Sequence, residues 1–212
     1  MIPVKICGIT TVNDALLAAR LGASAIGLIF YEKSPRYVSL KTSKEISKRL
    51  PDSTRKVGVF VNSDLETIHQ TADAAGLDFV QLHGDESPEL CGLIKLPVVR
   101  VLRVGNSIPH EDYENYPVHA FLLDTHKRGM FGGTGDPFDW RIVTRMETKT
   151  PIILSGGLNA NNLLEGIATA RPDAIDINSG VERSPGIKDE SKLRTMFRVL
   201  ERTGDYSDTF NT

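Results

Sequence analysis

Eight short apolar runs recur along the chain, separated by stretches whose apolar residues fall at helical spacing. The runs are Val4–Cys7, Ala25–Phe30, Lys56–Val61, Phe79–Leu82, Val98–Val104, Ala120–Asp124, Ile152–Leu154 and Ala174–Ile177. Most are continuous and not alternating, the pattern of parallel strands covered on both faces. Start signals mark the intervening segments. Thr42-Ser43-Lys44-Glu45 and Ser63-Asp64-Leu65-Glu66 fit a capping box, in which hydroxyl and glutamate satisfy free amides reciprocally. Ser87-Pro88 sets a cap before a proline at the first helical position, and Asn159 is placed to cap 160–170. Val12, Ala15, Leu16 and Ala19 predict one apolar stripe; Leu193, Met196, Phe197 and Leu200 predict another. A further helix is expected to open at Asp139.

Eight strands alternating with helices, joined by right-handed crossovers, predict a (β/α)8 barrel. An open doubly wound sheet competes, but glycine pairs after strands seven and eight favour the barrel. After strand five, His110–Pro117 is short and poor in apolar residues, so helix five is expected to shrink to a turn. No linker or low-complexity stretch interrupts the pattern, which predicts one domain over 1–212. The polar tail Thr203–Thr212 is expected to fray.

Composition narrows the function classes. A chain of 212 residues is long enough for one compact barrel, near the low end for that fold. A formal net charge of −2 with no Lys/Arg block argues against nucleic acid as a partner. No run approaches the ~18 apolar residues of a membrane span, and the N-terminus lacks signal-peptide architecture. Two cysteines far apart do not form a secreted scaffold, so a reducing, cytoplasmic location is expected.

Barrel enzymes build their sites from the loops at the C-terminal strand ends. The polar residues there are Cys7, Arg36, His83, Asp124, the Ser155-Gly156-Gly157 loop, Asp176 and Ser179-Gly180. Gly156, Gly157, Ser179 and Gly180 form the strongest ligand signal. Glycine lets backbone amides approach an anion, a helix start adds favourable dipole, and loops seven and eight are the usual phosphate position. Val181-Glu182 is expected to begin a short extra helix there. The plainer reading is two tight turns, but their joint occurrence favours phosphate.

Cys7 and Asp124 form the candidate base and acid. Strands one and six are three steps apart around the ring, with seven and eight between, so the pair should flank a ligand held by those loops. Singly, a free cysteine is most often a small buried hydrophobe and a loop aspartate a solvated cap. A free thiol of pKa about 8.5 is only a few per cent thiolate at neutral pH. Raising an aspartic acid from about 3.9 to about 6 takes roughly 3 kcal/mol. Lys5, two residues before Cys7, should share its face. Arg36, in Ser34-Pro35-Arg36-Tyr37, suits a carboxylate clamp or an ion pair with a neighbouring acid. His83 suits a substrate contact or a satisfied core position. The connection 125–138, carrying Gly132-Gly133-Thr134-Gly135, has the length and composition of a lid. Cys91 is assigned to packing.

Nine motifs in order carry a resemblance. They are VKICGIT (4–10), SPRYV (34–38), VGVFVN (57–62), VQLHGD (80–85), LLDT (122–125), GGTG (132–135), FDW (138–140), LSGGL (154–158) and DINSGVE (176–182). The chain resembles the phosphoribosylanthranilate isomerase family of tryptophan biosynthesis. The resemblance implies an aldose–ketose isomerase performing an Amadori rearrangement of N-(5-phosphoribosyl)anthranilate to 1-(2-carboxyphenylamino)-1-deoxyribulose 5-phosphate. It implies Asp124 as acid, Cys7 as base and Arg36 as partner of the anthranilate carboxylate. His83 and Asp176 become supporting contacts, and Gly156, Gly157, Ser179 and Gly180 hold the phosphate. No metal or redox cofactor is implied, and the family includes monomers and homodimers. One departure stands out: Asp136-Pro137 follows GGTG where the family usually has lysine. The alternatives are a histidine-pathway isomerase, whose acid and base are both aspartates, and a non-catalytic phosphate-binding barrel.

Overall fold

The computed structural model describes residues 1–105, 113–125, 138–204 and 209–210. Eight parallel strands close into a barrel in sequence order, β1 pairing with β8 to complete the ring. They are β1 (Val4–Ile6), β2 (Ala25–Ile29), β3 (Arg55–Phe60), β4 (Phe79–Leu82), β5 (Val98–Val104), β6 (Ala120–Thr125), β7 (Ile152–Leu154) and β8 (Ala174–Ile177). All eight expected strands are present, because continuous apolar runs between polar helices have few other ways to be buried. The helices are α1 (Val12–Leu21), α2 (Leu40–Arg49), α3 (Leu65–Ala75), α4 (Pro88–Leu93), α5 (Leu163–Ala170) and α6 (Glu190–Leu200). None is long and apolar enough to cross a membrane.

Side chains alternate between two cores. Val4, Ile6, Val80, Leu82, Leu123 and Ile175 face the helices. Ala25, Val57, Phe79, Val99, Val101, Ala120, Leu122, Ile153 and Ala174 fill the barrel. The inner positions nearer the C-terminal strand ends are polar: Lys5 and Cys7 on the β1 run, Gln81 on β4, Asp124 on β6 and Asp176 on β8. Period two thus separates an apolar floor from a polar mouth.

Several local expectations are corrected. The cap of α2 is Ser39, whose side chain accepts from Thr42 N at 3.2 Å, so Thr42 lies inside the helix. The cap of α3 is Asp64, one residue after Ser63, accepting from Thr67 N at 2.7 Å. Ser87 does cap α4, with Pro88 in its first turn. Asn159 is not the cap of α5, which begins at Leu163: its Oδ1 accepts from Asn161 N at 2.9 Å in the turn before the helix, and its Nδ2 donates to Gly157 O at 3.2 Å. The buried face of α1 is Ala15 and Ala18, not Leu16 and Ala19; small residues let the helix lie close to the sheet. All four stripe residues of α6 are buried. After β5 the described residues contain only a 3₁₀ turn, Tyr113–Asn115. The segment opened by Asp139 is a 3₁₀ run, Trp140–Arg145, because its buried Trp140, Ile142 and Val143 support barely one turn before polar residues follow.

The tail does not fray at Thr209 and Phe210. Phe210 is 1% exposed and packs edge-on against Phe79, ring centroids 5.9 Å apart, closing the barrel floor. Its carbonyl accepts from Arg55 Nε at 3.3 Å, and Thr209 O accepts from His119 Nε2 at 2.8 Å. One large apolar side chain is enough to dock a polar tail onto an otherwise open floor.

Candidate active site

The first strand delivers two polar side chains to the mouth. Lys5 is 1% exposed, and its ammonium donates to Asp176 Oδ1 on the adjacent β8 at 2.7 Å. Cys7 follows the strand, its amide donating to Ile177 O at 2.9 Å. Its Sγ fills the space beside Gly27 on β2: a Cβ there would stand 2.6 Å from the sulfur. Burial pushes the Cys7 thiol above its ordinary value, although Lys5 and Lys188 pull it down; Asp176 adds to the upward push. Burial also opposes the Lys5 ammonium, but Asp176 and Cys7 outweigh it and hold the amine above its ordinary range.

A belt of contacts runs from β1 to β6. Asp176 takes Lys5 on one oxygen, and its Oδ2 accepts from Ser155 Oγ after β7 at 3.5 Å. Gly156 follows, and a Cβ on it would lie 3.3 Å from Asp124 Oδ1. Asp124 Oδ1 accepts from Thr125 N at 2.9 Å. Cys7 and Asp124 thus bracket strands eight and seven, as the strand arithmetic requires. Asp176 is buried and engaged by protein groups, supporting the belt from below.

Between the pair lie the glycine loops. Gly156 and Gly157 have φ of +81° and +69°, a region that side chains rarely adopt. A Cβ on Gly180 would collide with Leu158 O, so loops seven and eight touch through the missing side chain. The expected extra helix is a single 3₁₀ turn, Ser179–Val181, too short for an appreciable dipole; backbone amides are what this site offers. A hairpin, β9 (Glu182–Ser184) with β10 (Ile187–Lys188), follows it and was not expected.

The hairpin supplies residues that the motifs alone did not single out. Glu182 accepts from Arg36 Nε at 3.0 Å and from Arg36 Nη2 at 2.8 Å. Lys188 Nζ lies 3.1 Å from Glu182 Oε1 and 3.1 Å from Asn178 Oδ1. Burial pushes the Glu182 carboxyl up, but Arg36, Lys188 and the Gly186 amide outweigh it and hold it below the usual range. Burial also pushes Lys188 down, only partly countered by Glu182. One edge of the Arg36 guanidinium is therefore occupied, and a ligand carboxylate would meet the Nη1/Nη2 edge. Arg36 passes close over Gly8, where a Cβ would stand 2.9 Å from its Cδ.

His83 stands on the opposite wall, its Nε2 3.4 Å from Asp124 Oδ2 and its Nδ1 3.2 Å from Gln81 Nε2. Its backbone is pinned from β5. Arg103 Nη2 donates to His83 O at 3.0 Å, and Arg100 Nη1 donates to Gly84 O at 3.0 Å. Glu86 completes the clamp by accepting from Gly84 N at 2.8 Å. Cys91 is buried in α4, where burial pushes its thiol up to about 11. Residues 132–135 and Asp136-Pro137 lie outside the described residues. No group of three or more His, Cys, Asp or Glu arranged to hold a metal is present among the described residues.

Comparison with known proteins identifies the family of this chain. Residues 4–199 match the family model described as N-(5'phosphoribosyl)anthranilate (PRA) isomerase. The enzyme of that name from Citrifermentans bemidjiense is 44% identical over 202 residues, 95% of this chain and 98% of the relative. That from Stutzerimonas stutzeri is 48% identical over 201 residues, 92% of this chain and 94% of the relative. The crystal structure from Thermus thermophilus superposes with a TM-score of 0.86 at 35% identity, covering 94% and 98% of the two chains. That from Thermotoga maritima gives 0.84 at 39%, covering 95% and 99%. A structure described as phosphoribosyl anthranilate isomerase in complex with reduced 1-(o-carboxyphenylamino)-1-deoxyribulose 5-phosphate gives 0.81 at 38%, covering 95% and 99%. With the family model spanning nearly all of the barrel, the chain belongs to the N-(5'-phosphoribosyl)anthranilate isomerase family, isomerases of tryptophan biosynthesis.

Proposed function

We propose that Asp124 and Cys7 are the acid and base of an Amadori rearrangement of N-(5-phosphoribosyl)anthranilate. The observation that supports this most is the belt Cys7–Lys5–Asp176–Ser155–Gly156–Asp124. It leaves Cys7 and Asp124 on either side of two glycine-bearing loops. The amides of Gly156, Gly157, Ser179 and Gly180 receive the phosphate, and the free edge of Arg36 receives the anthranilate carboxylate.

Asp124 gives its proton to the furanose ring oxygen. The C1′–O bond breaks as the anthranilate nitrogen donates its lone pair, leaving a Schiff base. The Cys7 thiolate then removes the C2′ proton, and those electrons form the C1′–C2′ double bond while the nitrogen regains its pair. The enolamine tautomerises, its C2′ hydroxyl proton leaving as C1′ gains one, so that C2′ becomes a ketone, and solvent returns the proton held by the Cys7 thiol to Asp124. Atoms and charge balance without an external oxidant. Lys5 stabilises the thiolate form that the base step needs.

We place the enzyme in the cytoplasm as a monomer or homodimer with a phosphorylated small-molecule substrate; the Thermotoga maritima relative is described as dimeric. Complementation of an isomerase-deficient tryptophan auxotroph tests the function. Growth without tryptophan supports it, and no growth despite soluble expression contradicts it.

A further inference from the structure

The inner face of β4 carries Phe79, Gln81 and, just beyond the strand, His83 at period two. Phe79 belongs to the barrel floor, so Gln81 sits at mid-depth, 1% exposed, with His83 above it. A glutamine buried this deeply needs partners. It has one: Gln81 Nε2 meets His83 Nδ1 at 3.2 Å, while Gln81 Oε1 has none among the described residues. His83 Nε2 is also buried without a well-aligned hydrogen bond, yet lies 3.4 Å from Asp124 Oδ2. Two orphaned atoms therefore fall on one line of contacts that ends at the candidate acid.

We infer that Gln81 is a positioning residue whose amide sets the tautomer of His83, and through it the direction of the hydrogen bond between His83 and Asp124.

A neutral imidazole has one N–H and one lone pair, so fixing the role of Nδ1 fixes the opposite role on Nε2. With the amide nitrogen toward Nδ1, Nε2 carries the hydrogen and donates to an Asp124 carboxylate. With the amide turned over, its oxygen accepts from Nδ1–H. Nε2 then offers a lone pair to a protonated Asp124. An acid in turnover passes between these two forms, and a neutral amide can serve both without adding charge. A carboxylate at position 81 would favour the doubly protonated ring, and the resulting cation would hold Asp124 ionised. The chemistry therefore suits glutamine there and disfavours glutamate. The amide orphan at Gln81 follows from the same logic, since only one end of the amide faces the ring at a time.

This inference rests on the reading of Asp124 as the acid, and its test separates the two. Protein labelled with ¹⁵N-histidine reports the protonation of each ring nitrogen directly, the His83 signals being assigned by their loss in His83→Asn. At a pH where Asp124 is ionised, the ligand-free wild type should show one dominant tautomer with Nε2 protonated. Gln81→Met, close in shape but without hydrogen-bonding groups, should shift His83 toward a tautomer mixture. It should lower kcat by about tenfold or more while KM moves less than about threefold. Gln81→Glu should move the ring nitrogens toward double protonation, with a comparable loss of kcat. A wild-type His83 evenly mixed between tautomers would overturn the inference, even if neither variant folds. So would unchanged His83 signals, or wild-type kcat, in a folded Gln81→Met. Failure of the acid assignment appears elsewhere, as retained activity in Asp124→Asn.

Discussion

Lys5 and Asp176 face each other across β1 and β8, with ammonium and carboxylate 2.7 Å apart in the barrel interior. The pair lies beside Cys7 and answers what could favour its thiolate in an otherwise unfavourable burial. Lys5→Met should leave Asp176 as an unpaired buried charge and cost about 3–5 kcal/mol of stability. Lys5→Met with Asp176→Asn together should regain most of that stability, yet leave the activity at neutral pH well below wild type. Urea denaturation alongside kcat/KM for the three proteins checks both halves; full activity in the double variant would remove Lys5 from the account.

Burial holds the Cys7 thiol above its ordinary value, so the base form grows as pH rises. The rate of Cys7 alkylation should accordingly climb from neutral into alkaline pH, and Lys5→Met should displace that climb further upward. Alkylation reads the thiol alone, whereas kcat/KM also carries the loss of the acid's proton as pH rises. Alkylation already at its plateau at neutral pH would contradict the assignment.

Gly27 is a glycine because Cys7 Sγ occupies the place of its side chain. Gly27→Ala puts a methyl 2.6 Å from the sulfur and 3.0 Å from Cys7 Cα, so the thiol must move. A displacement of this order should lower kcat about 100-fold. Thermal melting should confirm that the variant still folds; a folded Gly27→Ala with near-normal kcat would show that the thiol's position is uncritical.

Glu182 steadies Arg36 and shares its charge with Lys188. Its depressed carboxyl contributes stability that is present above the ordinary glutamate value and is lost as pH falls through the folded one. Glu182→Gln should therefore be less stable than wild type at neutral pH, by about 3 kcal/mol, and the gap should narrow as pH falls below the ordinary glutamate value, about 4.3. KM should rise as Arg36 loses its hold. Denaturation curves at both pH values decide it, a pH-independent gap being the contrary result.

Phe210 seals the floor, and Phe210→Ala should cost about 3 kcal/mol, measured by urea unfolding. A loss below about 0.5 kcal/mol would mean that the tail contributes little to the barrel.

The strands were legible because each is a continuous apolar run, and their order then placed Cys7 and Asp124 on either side of two glycine loops. What escaped were relationships between distant residues. Lys5 and Asp176 are 171 positions apart and Arg36 and Glu182 are 146 apart, so no local spacing announces either pair. The Gln81–His83 contact spans only two residues and follows the alternation along β4. Its significance needed Asp124, which arrives from another strand. The docking of Phe210 was obscured by the polar residues around it, since a single aromatic gives no periodicity to read.

The most direct test of the central claim is the single-turnover rate of N-(5-phosphoribosyl)anthranilate, followed by loss of its fluorescence, in wild type, Cys7→Ala and Asp124→Asn. Wild type should convert the substrate without added metal. Each variant should fall by about 100-fold or more while still binding the product. A variant within about tenfold of wild type, an effect of only ~1.4 kcal/mol, would contradict the role given to that residue.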